Sequence, residues 1–277
     1  MAGLESAAPA PPLPPGEAVA AMHITAPSER NPKLAGLLAA ANADTQLKAR
    51  WHAAQTTAER LGMSDHSWVH LRIVVNSALR LFRILHQRGV KSSLEIDYAM
   101  EATDAEVVIA GACLLHDLGM SIHRADHESY SLFLAADSLD GLLADVYAEP
   151  ERTIIASEVM HAIIGHRKGG APLTLEAGIV RVADALDMEH GRARVAFETR
   201  LPNIHSLSAA AIDDVRIMPG KQRTIRVEID MNNSAGVFQV DELLASKLRG
   251  SGLEDHIEVV AQIEAEHEKR LLTVYRI

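Results

Sequence analysis

Between Ala105 and Leu118 nearly every side chain is apolar, and the run closes on two adjacent titratable residues, His116 and Asp117. A helix that is apolar all round has no face to give to water, so it belongs at the centre of a helical assembly. Burying an imidazole and a carboxylate at its end is costly unless each finds a partner. A metal ion is such a partner. Nitrogen and oxygen donors together suit Fe, Mn, Zn or Ni better than the all-oxygen sets preferred by Ca and Mg.

The surrounding chain supplies the helices. Pro32 suits a first helical position, and Leu34, Leu37, Leu38, Leu47 and Trp51 recur at helical spacing over two segments. An amphipathic helix is predicted over 68–88, with Leu71, Val74, Val75, Ala78, Leu79, Phe82 and Leu85 on one side and Gly89 closing it. Asp104 reads as the N-cap of the central helix. Further helices are predicted at 128–136, 139–148, 151–165 and 175–190.

After about residue 195 the texture changes. Residues 214–218 and 224–231 alternate as strands do, with Pro219-Gly220 as the turn between them. A helix opened by Asp241 is expected over 240–248, and a connecting helix over 209–212. Residues 257–264 and 271–277 read as strands, the first with a helical alternative, and 233–236 as a turn. The N-terminal segment carries Pro9, Pro11, Pro12, Pro14 and Pro15 and reads as a disordered tail of polyproline character. The expected fold is mainly α, a helical bundle with a small C-terminal α+β appendage. The expected division is 1–30 tail, 31–195 helical domain and 196–277 α+β unit.

Composition narrows the function. Lys and Arg total 27 against 37 Asp and Glu, a formal charge of −10. Such a chain has no global field to attract nucleic acid or an anionic membrane, so a phosphate substrate needs cations or a local Arg/Lys cluster. The one cysteine, Cys113, lies inside the apolar run; it excludes an internal disulfide, fits a reducing compartment and reads as core, not nucleophile. No stretch reaches the roughly 18 apolar residues that span a bilayer, and the N-terminus lacks a signal peptide's basic and apolar regions. The expected location is the cytoplasm.

Nine of the fourteen histidines lie between His66 and His190. Besides His116-Asp117, three other polar pairs sit at the edges of apolar helices. Asp184 and Asp187 share one helix face, His66 and His70 are one turn apart, and His161 and His166 flank a helix end. Four such places point to convergence on one polar pocket within the bundle.

The order His70 … His116-Asp117 … Asp184 resembles the HD superfamily of metal-dependent phosphohydrolases, over about residues 65–194. Three blocks carry the resemblance: His70-Leu71-Arg72-Ile73-Val74, Leu114-Leu115-His116-Asp117-Leu118-Gly119 and Val180-Arg181-Val182-Ala183-Asp184-Ala185-Leu186-Asp187. It implies an HD-type helical bundle with His70, His116, Asp117 and Asp184 as metal ligands. Some members add two histidines and hold two metals. His127, in His127-Glu128-Ser129-Tyr130-Ser131, and His166, in Ala162-Ile163-Ile164-Gly165-His166-Arg167, match those places, with His123 and His161 as rivals. Asp117 would then bridge two divalent transition ions (Fe, Mn, Ni or Zn) roughly 3.5–4 Å apart. Asp187 is expected to accept a hydrogen bond from a ligand histidine.

What the resemblance implies chemically is a phosphohydrolase or phosphodiesterase acting on a nucleotide-type phosphoester through a metal-activated hydroxide. Asp117, Arg167 and Lys168 are the expected catalytic residues. Arg167 and Lys168 are the first choice for phosphate contact, ahead of Arg124, Arg181, Arg192 and Arg194. The Gly-Tyr-Pro string of the cyclic-di-GMP branch is absent, and Met120-Ser121-Ile122-His123 stands where the alarmone hydrolases carry Glu-Asp. Dinucleoside-polyphosphate hydrolases stay open. The same ligands also serve di-iron oxygenases, and a nucleotide-binding regulatory module with weak catalysis is a third reading. Expected partners are a small phosphate substrate and a second copy of the chain in a homodimer, with no membrane and no strong nucleic-acid signal.

Overall fold

The structure is a computed structural model and describes residues 13–167, 169–188, 208 and 210–263. Among these the chain is mainly helical, with one small sheet. Helices α1 (Pro15–Ala20), α2 (Pro32–Ala43), α3 (Thr45–Arg60), α4 (Trp68–Gln87), α5 (Ser93–Asp97) and α6 (Ala102–Leu115) lead to a 3₁₀ turn, Leu118–Ser121. Helices α7 (His127–Leu143), α8 (Glu151–Gly165) and α9 (Leu175–Leu186) complete the bundle.

Helix α6 is the centre the sequence calls for. From Asp104 to Leu115 every residue is buried, and α2, α4, α8 and α9 pack around it. It starts earlier than expected. Glu101 stands at the N-cap position, and Asp104 lies in the first turn with its carboxylate accepting from the Glu101 backbone N–H at 3.0 Å. The same carboxylate takes bonds from Lys33 and Tyr147, both at 2.7 Å, and so ties α2 and the end of α7 to α6. Helix α4 opens on Ser67, whose hydroxyl accepts from the Val69 N–H, and ends before Gly89, whose φ of +87° suits the residue after a helix.

Two further expectations change. The helices predicted at 128–136 and 139–148 are one helix, α7. Asp137 and Ser138, which fall between the two expected helices, lie inside α7 where Arg50 of α3 reaches across to both side chains. The tail predicted over 1–30 is ordered in its described part. Val19, Met22 and Ile24 join the core, and the Asn42 side chain pairs with both backbone groups of Ile24 at 2.8 Å.

The C-terminal part is a sheet in the order β1 (Ile212–Pro219), β2 (Ile225–Met231), β3 (Ile257–Ile263). Strands β1 and β2 are antiparallel, with Val215 opposite Ile229, and β2 and β3 are parallel, with Val227 opposite Val259. The parallel pair needs a crossover. It contains a π-helical segment, Gln239–Ala245, running into α10 (Ser246–Leu248). Residues 209–212 were expected to form a connecting helix; Ile212 instead opens β1, and Ala209 is not among the described residues. Ile225, Val227, Ile229 and Met231 alternate inward and belong to the same continuous core as the helices. The strand expected at 271–277 and the boundary expected near 195 lie outside the described residues.

Candidate metal centre

Each side chain of the site is placed by local structure. His70 sits in the first turn of α4, fully buried. His116 and Asp117 follow the last residue of α6, where Trp51 donates its indole N–H to the Leu114 carbonyl at 2.9 Å and pins that end. The chain then turns tightly through Gly119. Its N–H donates to the Ser131 hydroxyl at 2.8 Å, and that hydroxyl donates to the His116 carbonyl at 2.6 Å. A Cβ on Gly119 would stand 1.9 Å from the His127 carbonyl oxygen, so only glycine lets α7 lie this close. That approach brings His127 Nε2 to 3.2 Å from Asp117 Oδ1. His166 follows α8, and Asp184 lies in the last turn of α9.

These six side chains form one cluster. His70 Nε2 lies 3.6 Å from Asp117 Oδ2 and 3.5 Å from Asp184 Oδ1. His116 Nε2 lies 3.4 Å from Asp117 Oδ2 and 3.7 Å from Asp184 Oδ1. The His166 ring stands 4.9 Å from that of His116 and 5.7 Å from that of His127. Three overlapping triads could each hold an ion: His70, His116 and Asp117; His116, His166 and Asp184; and Asp117, His127 and His166.

The far nitrogens fix the rings. His70 Nδ1 bonds Asp187 Oδ2 at 2.5 Å, His116 Nδ1–H donates to the Cys113 carbonyl at 2.9 Å, and His166 Nδ1–H donates to that of Ile163 at 2.5 Å. A second bond of this kind sets which nitrogen faces an ion. The Nε2 atoms of His70 and His116 are buried with no hydrogen-bond partner among the described residues. Orphaned buried nitrogens beside two carboxylates fit a bound cation, and the imidazole–carboxylate donor set fits a transition metal.

The six side chains are electrostatically coupled. Burial opposes a charge on His116, but Asp117 and Asp184 beside it overcome this and lift its pKa to about 9. Burial would raise Asp117, yet His116, His127 and His66 around it hold it well below the usual carboxylate range. Burial, Lys247 and His116 keep His166 well below the ordinary imidazole range, in the neutral form a ligand needs.

Other expected residues fall elsewhere. His123 is exposed, its Nδ1 accepting from the Ala125 N–H, and His161 Nε2 accepts from the Leu173 N–H, so each holds a loop. Arg167 is exposed directly after His166; Lys168, Arg192 and Arg194 lie outside the described residues. Arg181, one of the arginines considered for phosphate, is buried and clamps backbone carbonyls. Sequence reasoning missed Lys247. Its ammonium sits 3.2 Å from Asp184 Oδ2 and donates to the His166 carbonyl. No local motif marks it, because 63 positions separate it from Asp184.

The profile of the HD domain family matches residues 69–189. The uncharacterized protein MJ1020 of Methanocaldococcus jannaschii is 38% identical over 207 residues, covering 75% of this chain and 80% of its own. The chain belongs to the HD domain family. Ribonuclease Y of Desulforudis audaxviator is 28% identical over 190 residues, 64% of this chain but 34% of that longer protein. HD domains bind divalent metals and are generally metal-dependent hydrolases. The six clustered side chains all lie within the HD match.

Proposed function

We propose that the chain is a metal-dependent phosphohydrolase or phosphodiesterase acting on a nucleotide-type phosphoester. Its ligands would be His70, His116, Asp117, His127, His166 and Asp184, holding two divalent transition ions of Fe, Mn, Ni or Zn. What carries the reading is the attitude of Asp117: Oδ2 faces His70 and His116 while Oδ1 faces His127. One carboxylate turned to two groups of imidazoles suits a bridge between two ions. Ions held there would supply an activated water at neutral pH and charge neutralisation for phosphoryl oxygens.

The protein's own groups do the rest. Asp187 and the Cys113 and Ile163 carbonyls keep three imidazoles oriented. Arg167, exposed beside His166, and its neighbour Lys168 contact the phosphate. Cys113 takes no part, since burial holds its thiol far above the ordinary range. The likeness to a protein named Ribonuclease Y favours a phosphodiester among phosphoesters. A cytoplasmic homodimer, each copy built of a helical part and an α+β part on one shared core, completes the proposal.

The test is metal analysis of purified protein with a panel of nucleotides and phosphodiesters, run beside an oxygen electrode. About two metals per chain and phosphoester turnover abolished by Asp117→Ala are expected. Retained turnover in that variant overturns the role of Asp117. Oxygen uptake without phosphoester turnover overturns the reaction class.

A further inference from the structure

We propose that Lys247, which lies beyond the HD match, is a positioning residue that fixes Asp184 as a one-oxygen metal ligand, so that the C-terminal segment completes the metal centre. The proposal rests on Asp184 being a ligand. Its basis is geometric. Lys247 Nζ engages Asp184 Oδ2 at 3.2 Å, while Oδ1 of the same carboxylate faces Nε2 of His70 at 3.5 Å and of His116 at 3.7 Å. An oxygen that already accepts from an ammonium is the poorer donor to an ion, so Lys247 favours Oδ1 as the oxygen that Asp184 supplies. The ammonium also donates to the His166 carbonyl. One cation therefore joins two of the six clustered residues, on separate elements.

The lysine is held in place from behind. The buried Arg181 guanidinium on α9 donates to the carbonyls of Lys247 at 2.7 Å and Ser246 at 3.3 Å. It also donates to those of Arg167 at 2.7 Å and Gly170 at 2.8 Å. A single side chain thus locks α10 to the loop after His166. Three residues earlier on α9, a Cβ on Gly178 would stand 2.1 Å from the Ser251 carbonyl oxygen, so the turn after α10 lies directly on that helix. Lys247 is thereby held by bonds that do not involve its own ammonium. Outer partners of metal ligands typically govern 10–100-fold of affinity.

The experiment uses the full chain, stripped with chelator and titrated with Mn(II) and with Zn(II) in competition with a chromophoric chelator. K247M keeps the stem and removes the donors; it should bind both ions at least about tenfold more weakly. K247R, which restores a cation, should recover at least part of the loss. Melting of the metal-free proteins is followed in parallel. Should K247M fail to fold, K247Q, which keeps a shorter, uncharged N–H donor, replaces it and should bind both ions more weakly than the parent. Unchanged or tighter binding overturns the proposal, and so does a lowered melting temperature with unchanged affinity. D184N, titrated alongside, separates the two readings. If it binds as the parent does, the ligand assignment fails; if it loses metal while K247M does not, the lysine proposal alone fails.

Discussion

His70 is addressed from both ring nitrogens, by Asp187 at Nδ1 and by Asp117 and Asp184 across from Nε2. His116 faces the same two inner carboxylates and, without an ion, answers them by holding a proton up to about pH 9. Its folded pKa therefore lies above the ordinary value of 6.5. A raised imidazole pKa adds stability that is complete below about 6.5 and is lost as pH rises through about 9. Chelated protein is expected to melt at a lower temperature at pH 9 than at pH 6.5, with the loss falling inside that window. Metal-loaded protein should not show it, because the ion takes the proton's place. Melting curves flat across the window for chelated protein would contradict this account. At this scale the sequence was informative. His70, His116, Asp117 and Asp184 sit in strings whose neighbours are apolar, and a polar residue in such a setting stands out. Lys247 does not, since an exposed-looking lysine in Ala245-Ser246-Lys247-Leu248 has no unusual neighbours.

Elements are where close approach matters. The 3₁₀ turn after α6 and the first turn of α7 meet at Gly119, whose missing side chain sets the distance between Asp117 and His127. Gly119→Ala must push the two backbones apart, since a Cβ cannot yield at 1.9 Å from a carbonyl oxygen. A destabilisation of about 2–4 kcal/mol is expected by denaturant unfolding, together with weaker metal binding, because His127 moves with its helix. Gly119→Ala with parental stability and parental metal affinity would show that α7 is not seated by this contact. Periodicity located most helices, α4 and α9 above all, because their apolar faces repeat. It misjudged the ends of α6 and the continuity of α7, because those depend on partners distant in sequence. Asp104 reads as a cap, but Glu101 holds that position while Lys33 and Tyr147 bond the Asp104 carboxylate, and Arg50 binds Asp137 and Ser138 in the middle of α7. Pro-rich composition suggested a tail around Ile24, but Asn42, 18 positions on, holds that backbone.

In the whole molecule the helices and the sheet share one apolar interior, and Ile212, Ile217, Ile225 and Leu253 join it beside Val180 and Leu186. The alternation that revealed β1 and β2 gave no sign of how the sheet docks. That docking depends on single long side chains, such as Arg80 donating from α4 to the Ile217 carbonyl. Arg181 decides what happens if the chain is cut. Burial already presses its guanidinium towards losing charge. Two of its four acceptors, the Ser246 and Lys247 carbonyls, come from the crossover between β2 and β3. A fragment ending before Gln239 would lose those two acceptors and would also strip Leu244, Leu253 and Ile257 from the shared core. Such a fragment should express as aggregate, read from the soluble fraction after lysis. The helical half would then prove to be a passenger of its own C-terminus, and excising it for crystallography or screening would discard the strap that keeps it shut.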